Sequence, residues 1–182
     1  MNQTSAPLET ITLGGGCFWC TEAVFDSVRG VTDVVSGYCN GHVENPTYGQ
    51  VCEGTTGHNE VVKVVFDTSV ISLEQILNIF FATHDPTTLN RQGNDRGTQY
   101  RSGIYVHNET QQKIAHEAMV KLEADQLFGA PLVTEVVNAE TFYPAENYHQ
   151  NYFKLNPAQG YCLAVVSPKM GKFRQKFSHL LK

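Results

Sequence analysis

Residues Glu9 to Cys20 read ETITLGGGCFWC and join two regular patterns through three glycines. The first five residues alternate polar and apolar side chains, a pattern that predicts a β-strand. After the three glycines, Cys20, Val24 and Val28 recur every four residues among polar side chains, as on one face of an amphipathic helix. Glycine accepts backbone conformations that other residues rarely adopt. We therefore expect a strand, a tight turn and a helix that begins near Cys17.

Cys17 is the first candidate catalytic residue because it lies at the start of this helix. The unpaired N–H groups and the positive dipole end of a helix stabilise an anion by about 0.3–1 kcal/mol, and by roughly 2 kcal/mol when partly buried. Since one pKa unit corresponds to about 1.36 kcal/mol, the helix end is expected to lower the pKa of Cys17 from about 8.5 toward neutrality. The pattern predicts a nucleophilic thiolate. The alternative is a buried small apolar residue at a glycine-rich turn.

Composition limits the class of protein. The 182 residues, of which 41% are hydrophobic and 17% charged, predict one globular domain with a sizeable core. A net charge of −5 argues against a nucleic-acid partner. The chain contains no run of about 18 apolar residues, so we expect no membrane span. No signal peptide is visible and the five cysteines are an odd number, so we expect a reducing compartment, the cytoplasm.

Strand and helix patterns alternate along the chain. We predict strands at 31–36, 60–66, 104–107 and 133–138, and helices at 72–82, at 109–128 and from Ser167 onward. The polar stretches 38–59, 84–102 and 141–162 are long for structureless loops, so they are expected to carry function. Short links between some elements favour an α+β two-layer sandwich over a doubly wound parallel sheet. We expect one domain over 1–182, with 1–8 flexible and 163–182 a tail that contains the last helix.

Cys17 and Cys20 form a CxxC pair, which has two interpretations. One is a dithiol–disulfide couple, and the other is half of a zinc site. A zinc site needs a second close pair, and Cys39 and Cys52 stand too far apart to supply it. We therefore expect no bound metal.

Glu60 is a candidate proton donor. It would share a strand face with Val62, Val64 and Phe66. If that face lines the core, desolvation favours the neutral form of the acid, which could then donate a proton near neutral pH. The alternative is a solvated glutamate at the start of the strand.

Two tyrosines and two histidines in the polar loops are further candidates. Tyr48 and Tyr100 carry phenols, which are neutral hydrogen-bond donors at pH 7, although either ring could simply be a packing residue. His149 lies in the third loop and His84 at a helix end. A cysteine–histidine hydrolase that uses Cys17 with either histidine stays open at this point. The last helix carries only basic charges from Pro168 onward, which indicates a solvated face or, alternatively, a docking surface for an acidic partner.

Several motifs together resemble the peptide methionine sulfoxide reductase A family. They follow the order of the family and cover roughly 11–177: GCFWC at 16–20, NPTY at 45–48, TGHNEV at 56–61, DP at 85–86, QGNDRGTQYRS at 92–102, FYPAENYHQ at 142–150 and GYC at 160–162. The resemblance implies an α+β sandwich with a ferredoxin-like core. It also implies reduction of the S epimer of methionine sulfoxide, free or in a peptide, and hence repair of oxidised proteins.

The resemblance assigns roles to the candidates. Cys17 matches the thiolate that attacks the sulfoxide sulfur, which gives methionine and a cysteine sulfenic acid. Glu60, Tyr48 and Tyr100 match the acid and the two phenols that bind the sulfoxide oxygen and supply a proton. The resemblance also places four residues around the substrate: Phe18 and Trp19 as the apolar pocket for the methyl group, and Asp95 and His149 as nearby polar residues.

The resemblance further implies that a second cysteine resolves the sulfenic acid and that thioredoxin, or another dithiol, reduces the disulfide without a bound cofactor. Cys162 is the expected resolving thiol because it lies on a terminal segment that could swing. Cys20 is the alternative, since a CxxC pair can close locally. Cys39 and Cys52 are expected to be bystanders, and the protein to be a monomer.

Overall fold

The computed structural model describes residues 7–182, and a six-stranded sheet forms its centre. The helices and strands are, in chain order, β1 (Leu8–Gly14), α1 (Phe18–Asp26), β2 (Val31–Cys39), α2 (Tyr48–Cys52), β3 (Asn59–Asp67), α3 (Leu73–Ala82), β4 (Arg91–Gln92), β5 (Asp95–Arg96), β6 (Gly103–Val106), α4 (Glu109–Ala124), β7 (Glu135–Asn138), β8 (Tyr143–Pro144), α5 (Tyr152–Leu155) and α6 (Ser167–Lys176).

The strand order in the sheet is β7-β6-β1-β3-β2-β8. All neighbours are antiparallel except β6 and β7, which are parallel. The central strand β3 pairs with β1 and β2, so that Tyr38 lies opposite Glu60 and Leu13 opposite Val62. The remaining two strands, β4 and β5, form a separate small hairpin.

The main core lies between one face of this sheet and the helices. Alternate residues of β1 and β3 point into it, and helices α1, α3 and α6 cover them with apolar side chains; the core includes Ile11, Leu13, Val24, Phe25, Val64, Phe66, Ile76, Phe80, Met170 and Phe173. A smaller cluster of Cys39, Val61 and Tyr105 lies apart from it. The predicted α+β two-layer arrangement is confirmed.

The turn after β1 forms as the glycines predict. Gly16 has φ +92°, a conformation that L side chains rarely adopt. At Gly14, a side-chain carbon would come within 2.3 Å of the Asn59 amide, so the turn also packs too tightly for alanine. The predicted helix at 72–82 is confirmed as well, with both hydrogen bonds of the Ser72–Gln75 capping box.

Several predicted boundaries are wrong. Residues 1–8 do not form a single flexible segment, because Leu8 pairs with Asp67 in β1 and the Pro7 carbonyl accepts a hydrogen bond from Thr68; residues 1–6 lie outside the described part of the chain. Helix α4 ends at Ala124 rather than Phe128, because the chain turns at Gln126, which has φ +51°.

The C-terminal segment differs most from the prediction. Ser167 does not cap a new helix, because a π-helical segment, Cys162–Val166, runs directly into α6. Val166, Met170 and Phe173 are all buried in the main core. Exposing one such side chain costs about 1.5–3 kcal/mol, so releasing these three would cost several kcal/mol. The tail is therefore a packed part of the fold and not a segment that swings freely.

Candidate active site

The candidate site forms around the first turn of α1. Cys17 is the N-cap residue, with φ −59° and ψ 127°, and its carbonyl accepts the first helical hydrogen bond from Cys20 at 3.1 Å. The Cys17 side chain is partly exposed, whereas Phe18 and Cys20 beside it are buried. Strand β1 and the glycine turn thus place one accessible thiol at the edge of the core.

Glu60 lies in this site and is almost completely buried, with 1% of its surface exposed. Its face of β3 continues into the core through Val62 and Val64, so the alternative of a solvated glutamate is wrong. Oε1 accepts a hydrogen bond from the Phe18 N–H at 3.3 Å, and Oε2 has no hydrogen-bond partner among the described residues. Burial, opposed in part by the Phe18 N–H, raises the pKa of Glu60 from 4.5 to about 8. At pH 7 this acid is mainly protonated.

The predicted low pKa of Cys17 is wrong for the free enzyme. Burial first, and then the negative charge of Glu60, raise the pKa of the Cys17 thiol well above 9.0. The backbone N–H of Trp19 lowers the pKa of Cys17, as expected at a helix N-terminus, but its effect is smaller. Cys17 is therefore a protonated thiol next to a protonated acid.

Tyr48 and Tyr100 both face Glu60. Burial raises the pKa of each phenol, and the Glu60 charge raises it further, so both stay protonated. Tyr48 is the first residue of α2, where its N–H donates to the Glu146 carboxylate at 2.9 Å. Tyr100 closes a short 3-10 turn after the β4–β5 hairpin. Two phenols and one carboxylic acid, all neutral donors, thus face the same space.

Aromatic rings form the wall of the site. The Trp19 ring stacks on Tyr152 at 3.8 Å between centroids, and Phe18 lies 5.0 Å from the His149 ring and 6.5 Å from Tyr48. Sulfur and methyl groups make favourable contacts with such rings. The predicted pocket residues Phe18 and Trp19 are therefore adjacent to Cys17 and part of one aromatic cluster.

His149 holds this wall in place. Its Nδ1 accepts a hydrogen bond from the Trp19 indole N–H at 3.0 Å, so the neutral ring carries its proton on Nε2. The His149 ring is buried, and burial lowers its pKa. His84 is engaged elsewhere, with the Phe80 carbonyl at 2.6 Å and the Ser102 hydroxyl at 2.8 Å. Neither histidine forms a hydrogen bond with Cys17, so the geometry does not favour a cysteine–histidine hydrolase.

Asp95 accepts a hydrogen bond from the Tyr161 phenol at 2.6 Å. Burial raises the pKa of Tyr161, and the nearby thiols of Cys17 and Cys20 raise it further. The Tyr161 ring also meets Trp19 edge-on at 5.8 Å. Asp95 is thus tied to the site through Tyr161, a residue that the sequence analysis did not single out.

Two carboxylates support the site from outside and were also missed. Glu146 accepts hydrogen bonds from the Tyr38 phenol at 3.0 Å and from the Tyr48 backbone. Glu22 is buried on α1 and accepts from Ser36 and from the Asn151 backbone N–H. Together they fix both ends of the segment that carries His149. For Glu22, the available sequence signal was a glutamate two residues after the CxxC pair, on the predicted helix.

The remaining cysteines occupy distinct environments. Cys20 and Cys162 are both buried in the main core, where α1 packs against the π-helical segment. Cys39 is buried in the smaller cluster, and Cys52 is exposed at the end of α2. Cys52 lies close enough to Tyr48 to raise the pKa of its phenol, so it lies nearer the site than a bystander was expected to be.

Within residues 7–182, no group of three or more histidine, cysteine, aspartate or glutamate side chains is arranged to hold a metal ion. No helix of that range is long and apolar enough to cross a membrane.

Comparison with known proteins identifies the family. The family described as peptide methionine sulfoxide reductase matches residues 9–181. Peptide methionine sulfoxide reductase MsrA of Polynucleobacter asymbioticus is 56% identical over 174 residues, which cover 96% of this chain and 92% of that protein. The chain therefore belongs to the peptide methionine sulfoxide reductase family, and the resemblance seen in its motifs is confirmed.

Solved structures agree with this assignment. Reduced Mxr1 from Saccharomyces cerevisiae superposes with a TM-score of 0.79 at 34% identity, over 89% of this chain and 92% of that one. Methionine sulfoxide reductase A of Corynebacterium diphtheriae gives a TM-score of 0.78 at 36% identity, over 90% of this chain and 82% of that one.

Proposed function

We propose that this chain is a peptide-methionine (S)-S-oxide reductase that acts on methionine sulfoxide, free or within oxidised proteins. The observation that supports this most is the protonation of Glu60, whose pKa is raised to about 8 in the same site as Cys17. A sulfoxide oxygen becomes a good leaving group only when it is protonated. A buried acid that is neutral at pH 7 can supply that proton.

In the chemical step, the Cys17 sulfur forms a bond to the sulfoxide sulfur while Glu60 protonates the oxygen. The S–O bond then breaks, and the released oxygen, as water, adds to the Cys17 sulfur while the S–S bond breaks. Cys17 is left as a sulfenic acid, the substrate leaves as a thioether, and the proton of the Cys17 thiol replaces the one that Glu60 gave. The substrate sulfur gains the two electrons that the Cys17 sulfur loses. Because burial disfavours both charged forms, and the Glu60 charge further disfavours the Cys17 thiolate, the thiol and the acid both hold their protons until substrate binds.

The surrounding residues bind and orient the substrate. The phenols of Tyr48 and Tyr100 donate to the sulfoxide oxygen, where charge develops as the sulfur is attacked. The rings of Phe18 and Trp19 contact the methyl group. His149 keeps Trp19 in this orientation by accepting a hydrogen bond from the indole N–H. Asp95 accepts a hydrogen bond from Tyr161 and so holds the phenol that packs against Trp19.

A second cysteine then condenses with the sulfenic acid, which releases water and forms a disulfide. We assign Cys162 as the thiol that resolves the Cys17 sulfenic acid, and Cys20 is the alternative. Thioredoxin, a dithiol protein, reduces this disulfide and becomes oxidised itself. The cycle moves electrons through thiols alone, so the proposal includes no bound cofactor.

The direct test is methionine formation from methionine (S)-sulfoxide by the reduced protein, without added reductant. We expect the wild-type protein to form methionine stoichiometrically and Cys17→Ser to form none. Cys39→Ala is the matched control, because Cys39 is buried in the other cluster, and it should behave as the wild type. Methionine formation by Cys17→Ser would disprove the proposal.

A further inference from the structure

A buried polar network begins on the opposite face of β3 from Glu60. Asn59 precedes Glu60 in this strand, so the two side chains point to opposite faces of the sheet. The Asn59 side chain is fully buried, and its Nδ2 group donates to the Tyr105 hydroxyl at 2.8 Å and to the Arg101 carbonyl at 3.0 Å. Asn59 therefore links the strand that carries Glu60 to the segment that follows Tyr100.

The Arg101 guanidinium holds the same segment a second time. Its Nε donates to a Glu135 carboxylate oxygen at 2.7 Å, and one of its terminal nitrogens donates to the Thr98 carbonyl at 2.8 Å. The Tyr105 hydroxyl donates to the same Glu135 oxygen at 2.6 Å, which closes the network. Thr98 and Tyr100 are the first and last residues of the short 3-10 turn. Arg101 thus keeps this turn closed and ties it to the start of β7.

Two glycines leave the space that this network occupies. Gly14 and Gly103 lie opposite each other in the β1–β6 pair, and neither has a positive φ. A β-carbon at Gly14 would overlap the Asn59 amide, and one at Gly103 would lie 2.5 Å from the Tyr105 hydroxyl. The space, and not the backbone conformation, therefore requires glycine at both positions. The Asn59 amide also packs against the start of the turn that leads to Cys17.

The position of the Tyr100 phenol depends on these contacts. A 3-10 turn of three residues makes few hydrogen bonds of its own, so the residues around it set its orientation. In the proposed reaction, Tyr100 donates to the oxygen on which charge develops, and such groups work when they are held within about 0.5 Å of the productive geometry. Glu60 must reach the same oxygen. The two donors therefore need a fixed position relative to each other.

We propose that Asn59 and Arg101 are positioning residues, which hold the Tyr100 phenol in register with the Glu60 carboxyl group. Arg101 acts through the turn that carries Tyr100, and Asn59 joins that turn to the strand of Glu60. Neither residue is assigned a contact with the substrate. The inference rests on the proposed function and deepens it, because it explains how donors from two distant segments meet at one oxygen.

The test is a double-mutant cycle on the maximal single-turnover rate of methionine formation. Arg101→Met keeps an apolar stem and removes the guanidinium, and we expect an about tenfold slower rate, the loss expected from Tyr100→Phe. The half-saturating substrate concentration should stay within about twofold, since the lost contact acts on charge that develops in the transition state. In the Tyr100→Phe background, Arg101→Met should cost less than about twofold, whereas it should still cost about tenfold in the Tyr48→Phe background.

Arg29→Met is the matched control, because Arg29 also donates to a backbone carbonyl, that of His179, but lies after α1 and outside the site. It should keep the wild-type rate. Equal losses from Arg101→Met in the wild-type, Tyr100→Phe and Tyr48→Phe backgrounds would overturn the positioning role. A higher half-saturating concentration at an unchanged maximal rate would overturn it as well. Absence of methionine formation by the wild type would instead overturn the proposed function.

Two variants of Glu135 provide the test if Arg101→Met fails to fold, which urea unfolding of each variant shows. Glu135→Gln keeps an oxygen that can accept from both Arg101 and Tyr105, so its rate should stay within about twofold of the wild type. Glu135→Ala removes this acceptor, and we expect a loss of about threefold to tenfold that shrinks in the Tyr100→Phe background. A glutamine variant as slow as the alanine variant would contradict positioning by hydrogen-bond geometry.

Asn59→Leu tests the other link of the network. Leucine fills nearly the same space but cannot donate to the Arg101 carbonyl, so we expect an about tenfold slower rate, and a smaller loss in the Tyr100→Phe background. An undiminished loss in that background would show that Asn59 does not act through Tyr100.

Discussion

The two thiols of the first turn of α1 are three residues apart, and their surroundings are opposite. Cys17 lies beside the acid Glu60, which raises its pKa, whereas Cys20 lies beside the cation Lys169, which lowers its pKa. The shared helix end does not decide their chemistry. Residues from β3 and α6, far away in the sequence, set the charge around each thiol. Glu60 adds to the effect of burial on the pKa of Cys17, whereas Lys169 opposes part of that effect at Cys20, whose pKa nevertheless stays raised.

Removal of the Glu60 carboxyl group should slow methionine formation more than any other substitution considered. Replacing Glu60 with alanine removes the donor, and general acid catalysis contributes typically 10²–10⁴-fold. We expect Glu60→Ala to lose activity within about that range, measured as the rate of methionine formation in a single turnover. Glu60→Gln should keep substantial activity, because a neutral amide still donates a hydrogen bond to the oxygen.

Equal losses in the alanine and glutamine variants would contradict a neutral donor. They would indicate that the site needs an ionised carboxylate at position 60.

The same acid makes stability depend on pH. The folded-state pKa of Glu60 is about 8 and its ordinary value is 4.5, so the folded protein binds a proton that the unfolded chain has lost between these pH values. The contribution of this group to the free energy of unfolding is fully present below pH 4.5 and is lost as pH rises to about 8. At about 1.36 kcal/mol per unit, the loss is roughly 3–5 kcal/mol.

Glu60→Gln cannot titrate, so its free energy of unfolding should lack this decline. Urea titrations of both proteins at several pH values from about 3.5 to about 9, which brackets the two pKa values by roughly one unit on either side, provide the measurement. Parallel pH dependences would contradict a buried, protonated Glu60.

The two phenols should contribute less than the acid. Tyr48→Phe and Tyr100→Phe each remove one neutral donor from the sulfoxide oxygen, and we expect each to slow methionine formation by about tenfold, the value of one hydrogen bond of roughly 1.4 kcal/mol. Tyr143→Phe is the control, since Tyr143 lies in the edge strand β8. Unchanged rates in both site variants would remove the phenols from the mechanism.

Substitution of Tyr161, which lies near Cys20, should have the smallest effect. Tyr161→Phe keeps the ring against Trp19 but removes the hydroxyl that donates to Asp95 and lowers the pKa of Cys20. We expect disulfide closure to slow by about threefold, as for one weak hydrogen bond of about 0.5–1 kcal/mol, while methionine formation stays within the same factor. A larger loss in methionine formation than in closure would place Tyr161 in the first step instead.

The sequence predicted those parts of the site that depend on local periodicity. The alternation around Glu60 predicted a strand face shared with apolar residues but left open whether that face lines the core, and the structure shows that it does. The glycine run predicted that Cys17 lies at a helix start, and the structure confirms this. The pKa of Cys17 could not be predicted in the same way. The helix end lowers it as expected, but burial and Glu60, which lies 43 positions further along the chain, outweigh this local effect.

The buried helix face of the C-terminal segment was missed, although its pattern is present in the sequence. Cys162, Val166, Met170, Phe173 and Phe177 recur every three or four residues, which is the pattern of a buried helix face, and all five are buried. The basic residues between them suggested a loose solvated tail. Tyr152 and Tyr161, in contrast, carry no pattern of their own, and only the fold brings them to Trp19.

Infrared difference spectroscopy can measure directly whether the Glu60 carboxyl group is protonated at physiological pH. The band of a protonated carboxyl group, assigned by its absence in Glu60→Gln, can be followed as pH rises in the reduced, substrate-free protein. We expect this band to persist at pH 7 and to disappear with a midpoint near pH 8. A midpoint near the ordinary glutamate value of 4.5 would contradict a protonated Glu60 at physiological pH.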